Sequence, residues 1–179
     1  MTVPSVAEGD QGAALLALYD DAVAEVYGYL LARCRNRTVA EDVTSDVFMG
    51  AVDTVAKGGV ERVTTAWLIG IARHKLVDHW RRAERERRRL TAVADEPGGA
   101  PAATDPWDAE LDVLVARDVL EQLGAHHRAA LTLRYLDGLS VREVADVLDR
   151  TEHATEALLV RARRAFREIY DETEEGARP

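Results

Sequence analysis

Cysteine is almost missing from this 179-residue chain, which contains only Cys34. A single cysteine excludes an internal disulfide and leaves no thiolate cluster for a structural metal. The five histidines are scattered apart from the adjacent His126 and His127, and no spacing matches a set of metal ligands. We therefore predict no metal site and no cofactor, and we expect Cys34 to be a small buried hydrophobic residue.

Long apolar runs are missing as well. No stretch approaches the roughly 20 residues that a membrane-spanning helix needs, and the first ten residues, MTVPSVAEGD, lack the basic start and apolar core of a secretion signal. The composition, with 47% apolar and 31% charged residues, is typical of an ordered protein. We expect it to stay in the cytoplasm without membrane insertion.

Motifs for catalysis are also absent. The sequence has no Gly-rich phosphate loop, no nucleophile elbow and no cluster of histidines with carboxylates. The expectation is a protein that has no reaction of its own and no small-molecule substrate.

Strand patterns are scarce, because β-branched residues do not alternate over useful lengths, whereas Ala, Leu, Arg and Glu dominate between the breaks. We predict an all-α fold of two small helical domains joined by a flexible linker. The first domain is expected over residues 11–90 and the second over 107–172. The linker over 91–106 is rich in Pro, Gly and acidic residues.

Three helices are predicted in the first domain, over 13–34, over 38–56 and from about Thr64, which caps the third. Helical spacing in the first helix groups Leu15, Leu16, Tyr19, Val23, Val26, Tyr27 and Leu30. The second helix is expected to bury Val43, Val47, Phe48, Ala51 and Val55 and to expose Glu41, Asp42, Ser45 and Asp46.

The third helix concentrates positive charge in a chain of net charge −9. Between Arg62 and Arg89, nine Lys and Arg stand against three Asp and Glu. On a helix, one side carries Leu68, Ile69, Ala72, Leu76, Ala83 and Leu90, and the opposite side carries His74, Asp78, Arg81, Arg82, Arg85, Arg88 and Arg89. Guanidinium groups suit phosphate oxygens, so the basic side is predicted to bind a polyanion. Trp67 on that side and Trp80 at its edge are expected to stack on unpaired bases.

A helix-turn-helix is predicted in residues 138–170, after helices over 111–123 and 125–136. Ser140 and Glu143 form a capping box, Asp149 tolerates the left-handed conformation of a turn, and Thr151 caps a second, longer helix. Residues predicted to face the major groove are His153, Glu156, Ala157, Val160 and Arg164. Phosphates are predicted to be held by Arg161, Arg163, Arg164 and Arg167. The net charge of −9 over residues 90–160 argues against tight duplex binding without a partner.

Three stretches, in this order and spacing, carry a family resemblance. They are AEDVTSDVF at 40–48, AWLIGIARHKLVDHWRR at 66–82, and LRYLDGLSVREVADVL at 133–148 with VRARRAF at 160–166. The chain resembles bacterial RNA polymerase sigma factors of the extracytoplasmic-function (ECF) group, which have regions 2 and 4 joined by a linker. The resemblance covers residues 13–170.

The resemblance implies a dissociable subunit that gives core RNA polymerase its promoter specificity and that is held inactive by an anti-sigma factor. It implies that core polymerase is bound by Glu41, Asp42, Asp46 and Phe48. It implies that the -10 element is melted and held by the loop 57–64 and by Trp67, Arg73, His74, Asp78, Arg81, Arg82 and Arg85. The -35 element of promoter DNA would be recognised by His153, Glu156, Ala157, Val160, Arg161 and Arg164.

The sequence departs from the family pattern at three places. His74 stands where the family often has Asn, Ser45 stands where it has Gln, and residues 155–158 replace a Val-Lys-Ser-Arg run, which removes two basic residues. Two other classes stay open: a stand-alone helix-turn-helix regulator, and a protein-binding adaptor whose arginines meet an acidic partner.

Overall fold

The computed structural model describes residues 8–91 and 113–177, which form seven α-helices, one π-helical turn and no strand. The all-α prediction is therefore confirmed. Except for Thr91, the predicted linker over 91–106 lies outside the described residues. The helices are α1 (Glu8–Cys34), α2 (Arg37–Ala56), α3 (Thr65–Thr91), α4 (Val113–Gln122), α5 (Ala125–Leu131), α6 (Val141–Leu148) and α7 (Glu152–Ala177).

The chain divides into two compact units, and the division falls inside α3, between His79 and Trp80. The first unit contains α1, α2 and the N-terminal part of α3. The second contains the rest of α3 with α4 to α7. The domain limits 11–90 and 107–172 remain predictions from the sequence.

The core of the first unit is built from α1 and α2, which pack against each other. All five apolar residues predicted to be buried on α2 are buried. Leu15, Ala22, Val26 and Leu30 of α1 are buried too, but Leu16 is 78% exposed although it follows the same periodic pattern. Burying each larger side chain stabilises the unit by about 1.5–3 kcal/mol.

The break between α1 and α2 has a local cause. Arg35 adopts a left-handed conformation (φ 51°) and its backbone N–H donates to the carbonyl of Leu31 at 2.9 Å, which ends α1. Asn36 then caps α2, since its side-chain oxygen accepts from the backbone N–H of Val39 at 3.0 Å. Cys34 is buried beside this turn, as predicted, and its thiol donates to the carbonyl of Asn36 at 3.3 Å.

In the second unit, the helix predicted over 125–136 is present as α5 followed by a π-helical turn, Thr132–Leu136. The turn closes where the N–H of Asp137 donates to the carbonyl of Thr132 at 3.0 Å, and Gly138 follows with a φ of 69° that suits glycine. The unit's core includes Leu131, Leu133, Val144, Leu148, Leu158, Leu159 and Phe166.

None of the helices within 8–91 and 113–177 combines the length and the apolar character required to cross a bilayer.

Candidate nucleic-acid interface

The basic side of α3 is largely open to solvent. The helix is capped by Thr64, whose hydroxyl accepts from the backbone N–H of Trp67 at 3.2 Å. The exposed residues of this side are His74, Asp78, Arg82, Arg85, Arg88 and Arg89, and the half-buried ones are Trp67, Arg73 and Arg81. The helix therefore presents arginines to solvent over its C-terminal turns, on the side that the sequence predicted.

The arginines of this side differ in how much they are engaged within the protein. Arg81 donates from Nη2 to the carbonyl of Leu148 at 2.9 Å, and Arg88 donates to the carboxylate of Glu84 at 2.7 Å. Arg82 and Arg85 are exposed. These two guanidinium groups are consequently the best placed on α3 to meet a phosphate.

The apolar side of α3 corrects three predictions. Trp80 is buried, with the guanidinium of Arg128 at 4.6 Å from its ring centroid, and so it is unavailable for stacking on bases. Ala83 and Leu90 were expected in the core but are exposed. The buried residues of α3 recur every four positions, at Leu68, Ala72 and Leu76. The next position in this series is Trp80, and so Trp80 is buried while Ala83 is not.

Glu84 continues this spacing and anchors the C-terminal part of α3 within the second unit. Its carboxylate accepts from the backbone N–H of Ala125, the first residue of α5, at 2.7 Å. Burial raises the pKa of Glu84, but the Ala125 N–H and the guanidinium of Arg88 outweigh burial and hold the pKa below its ordinary value. The carboxylate thus supplies the helix cap that Gly124, which has no side chain, cannot.

Glu84→Gln is expected to destabilise the second unit by about 1 kcal/mol at pH 7, because a charged cap is lost. The pKa of Glu84 is lower in the folded protein than in the unfolded chain, so the carboxylate stabilises the fold at a pH above the ordinary carboxyl pKa. This stabilisation is lost as the pH falls through the folded-state pKa. The difference from wild type should therefore be present at pH 7 and become small at an acidic pH below the folded-state pKa of Glu84. Urea unfolding at both pH values tests this, with the exposed Glu86→Gln as control; an equal effect of both substitutions would contradict it.

A groove of about 680 Å³ lies between α1 and α2. Of the residues predicted to bind core polymerase, Glu41, Asp42 and Asp46 are exposed, whereas Phe48 is buried and contacts the ring of Tyr19 edge-on, with centroids 5.0 Å apart. Glu41 and Phe48 both line the groove. Its apolar lining includes Tyr19, Val23, Tyr27, Met49 and Val52, of which Met49 and Val52 are 68% and 56% exposed.

The helix-turn-helix is formed by α6 and α7 as the sequence predicted. The capping box of Ser140 and Glu143 is present in both directions. Asp149 ends α6 in the left-handed conformation, with a φ of 53°, and the hydroxyl of Thr151 accepts from the N–H of Ala154 at 3.2 Å. The turn between the two helices is thereby set by hydrogen bonds from residues that the sequence identified.

The outward side of α7 carries the residues predicted to meet DNA. His153, Glu156, Ala157, Arg161 and Arg164 are exposed and Val160 is half-buried, while Arg164 also pairs with Glu168 at 2.9 Å. Two of the four residues in the departing run 155–158, Thr155 and Leu158, are buried. Leu158 therefore belongs to the core of the unit and not to its outward side.

Thr155 is fully buried, and its hydroxyl makes no hydrogen bond with any residue that the structure describes. A buried hydroxyl without a partner carries a desolvation penalty. Thr155→Val keeps the shape and removes that penalty, and we expect it to stabilise the second unit by about 1 kcal/mol. Urea unfolding measures this, and a loss of stability would contradict the account of this site.

The chemistry available on these surfaces is suited to binding. Exposed arginine and imidazole groups can contact phosphates and bases. No group of three or more His, Cys, Asp or Glu within the described ranges could hold a metal ion.

An exposed arginine side on one helix and a helix-turn-helix on the same chain define an all-helical DNA-binding protein. Family models match both parts: "Sigma-70 region 2" matches residues 18–86 and "Sigma-70, region 4" matches residues 114–166. The chain belongs to the sigma-70 family of RNA polymerase sigma factors, within its ECF group. The resemblance seen in the sequence is confirmed.

Individual relatives agree with this assignment. The chain is 32% identical over 165 residues to the ECF RNA polymerase sigma factor SigL of Mycobacterium tuberculosis, which covers 91% of this chain and 92% of SigL. It is also 32% identical over 165 residues to the ECF sigma factor BldN of Streptomyces coelicolor, but it spans only 61% of that protein.

The fold is shared with a solved sigma factor. The structure of RpoE from Bartonella quintana, in complex with the anti-sigma factor NepR, matches with a TM-score of 0.54 and 22% identity, over 90% of this chain and 97% of that one.

Proposed function

We propose that this protein is a dissociable, non-catalytic subunit that directs core RNA polymerase to promoters in the cytoplasm, while the polymerase performs the synthesis. The observation that carries the proposal is the pairing, on one chain, of the exposed arginines of α3 with a helix-turn-helix. Opened strands need basic and aromatic contacts, and a closed duplex needs a helix in its groove. The chain offers both.

The first of these surfaces is proposed to melt the -10 element and hold its non-template strand. Support comes from the exposed or half-buried state of all seven predicted residues: Trp67, Arg73, His74, Asp78, Arg81, Arg82 and Arg85. Trp67 is the aromatic candidate for stacking, because Trp80 is buried. Arg82 and Arg85 are proposed as the main phosphate contacts.

The second surface, on α7, is proposed to recognise the -35 element. Glu156 can accept a hydrogen bond from a cytosine amino group, and the methyl groups of Ala157 and Val160 can contact a thymine methyl. Arg161 and Arg164 are proposed to hold phosphates and so to set the position of the helix. His153 stands at the N-terminal end of α7, where a recognition helix approaches bases.

Core polymerase is proposed to bind the exposed acidic residues Glu41, Asp42 and Asp46 of α2. The apolar groove that adjoins them, with Phe48 in its wall, supplies surface that a partner can bury. An anti-sigma factor is proposed as a second partner, by analogy with RpoE, whose solved structure contains NepR.

Replacing His153 or Glu156 by Ala is expected to change which -35 sequences are preferred. Each lost base contact is worth about 1–3 kcal/mol of discrimination. Selection of duplex promoters from a randomised -35 library by the holoenzyme measures the change. Glu172→Ala, a change of an exposed acid further along α7, is the control and should leave the preference unaltered. An unaltered preference in both His153 and Glu156 variants would remove these residues from the site.

Footprints with and without core polymerase test the proposal against a stand-alone regulator. A subunit of polymerase should protect promoter DNA only when core polymerase is present, because the acidic chain binds duplex DNA weakly alone. Equal protection by the isolated protein would favour the regulator.

A further inference from the structure

Gln11, in the first turns of α1, holds the backbone of the segment between α2 and α3. Its side-chain Nε2 donates to the carbonyl of Glu61 at 2.9 Å, and its Oε1 accepts from the backbone N–H of Val63 at 3.1 Å. The single side-chain amide of Gln11 thus binds the backbone carbonyl of Glu61 and the backbone N–H of Val63, two residues further along the chain. Both polar atoms of the side chain are used, which fixes its orientation.

The held segment is also fixed at its two ends. At its start, the N–H of Gly59 donates to the carbonyl of Thr54 at 2.9 Å, and at its end Thr64 caps α3. Val63 is buried, which anchors the point where Gln11 binds. The residue between the two bonded positions is Arg62, and its side chain is exposed.

We propose that Gln11 is a positioning residue that holds Arg62 for contact with a phosphate of the opened strand. The inference rests on the proposed function and extends its -10 surface to the loop 57–64, which the family resemblance also implies for the opened strand. Gln11 acts through the backbone on both sides of Arg62 and touches no nucleic acid itself. A fixed backbone lowers the entropy that is lost when a long side chain is ordered on binding. The two hydrogen bonds of Gln11 therefore strengthen the contact between Arg62 and the phosphate.

A double-mutant cycle on the holoenzyme separates positioning from an independent effect. The probe is single-stranded DNA selected from a random pool by wild-type protein bound to core polymerase, and the readout is its dissociation constant. Arg62→Ala should weaken binding about tenfold, as loss of a charge-assisted hydrogen bond does. The substitution should also make the plot of the logarithm of the binding constant against the logarithm of the salt concentration shallower, by about 0.7 in slope.

Gln11→Met keeps the length of the side chain and removes both hydrogen bonds. We expect it to weaken binding about fivefold alone and to add nothing to Arg62→Ala, since a residue that acts through Arg62 has no effect once Arg62 is gone. The control is the only other glutamine of the chain, Gln122, whose Nε2 donates to the carbonyl of Asp118 on its own helix at 3.4 Å. Gln122→Met should leave binding unchanged.

Each outcome has one meaning. Thermal unfolding of all variants checks that a loss of binding is not a loss of fold. Wild-type affinity in Gln11→Met, or effects that multiply in the double variant, would overturn the role of Gln11 while leaving the proposed function standing. If the wild-type holoenzyme selects no strand at all, the proposed function itself fails, and the inference fails with it.

Discussion

Reversing Arg82 and Arg85 together to Glu should slow formation of the open promoter complex by about a hundredfold. Each guanidinium is exposed on the basic side of α3. Each charge-assisted contact with a phosphate is worth about 1.5–3 kcal/mol, and a carboxylate in its place adds repulsion. Stopped-flow fluorescence of a promoter labelled in its -10 element measures the rate, with variant and wild-type protein bound to the same core polymerase.

Arg117→Glu is the control, because it reverses an exposed arginine on a different helix, α4, that is not among the residues proposed to bind the -10 element. It should open the promoter at a rate close to that of wild type. A promoter supplied with the -10 element already unpaired should rescue only part of the defect in the double variant, since the strand must still be held. Normal opening by the double variant would favour the protein-binding adaptor, in which the arginines meet an acidic partner.

Leu68→Ala is expected to have the largest effect on stability, lowering the free energy of unfolding of the first unit by about 3 kcal/mol. Leu68 is fully buried on α3, one turn after the cap at Thr64. Its truncation leaves a cavity where the start of the basic helix joins the core. Calorimetry should show the loss in the transition of the first unit, because each unit has a core of its own.

Leu16→Ala makes the same chemical change on α1 at a side chain that is 78% exposed. It should alter stability by less than about 0.5 kcal/mol. Equal losses of unfolding free energy from Leu16→Ala and Leu68→Ala would contradict the finding that Leu68 is buried and Leu16 is exposed.

Much of the fold followed from periodicity and capping. The buried side of α2, the capping box of Ser140 and Glu143, and the turn at Asp149 were all predicted, because each depends on interactions within a few residues. The sigma-factor family was also predicted, since its motifs are local and occur in a fixed order.

Features that depend on contacts far apart in sequence were not predicted. Leu16 fits the pattern of α1 but faces solvent, and Trp80 lies at the edge of the basic side but is buried beside Arg128. Periodicity defines the face of a helix and does not say how far along the helix the core extends. The prediction that Ala83 and Leu90 lie on the buried side of α3 was wrong for this reason.

Gln11 gave no signal in the sequence at all. Its partners are backbone groups about fifty residues away, and backbone groups are present in every residue type. The sequence likewise carries no signal for the role of Glu84, because its bond to the N–H of Ala125 joins residues 41 positions apart.

The most direct test of the account is transcription in vitro from a genomic library, with core RNA polymerase alone and with this protein added. We expect a small set of defined start sites that appear only with the protein, and whose upstream sequences share -10 and -35 elements. Failure of the purified protein to bind core polymerase, or initiation without defined starts, would contradict the central claim.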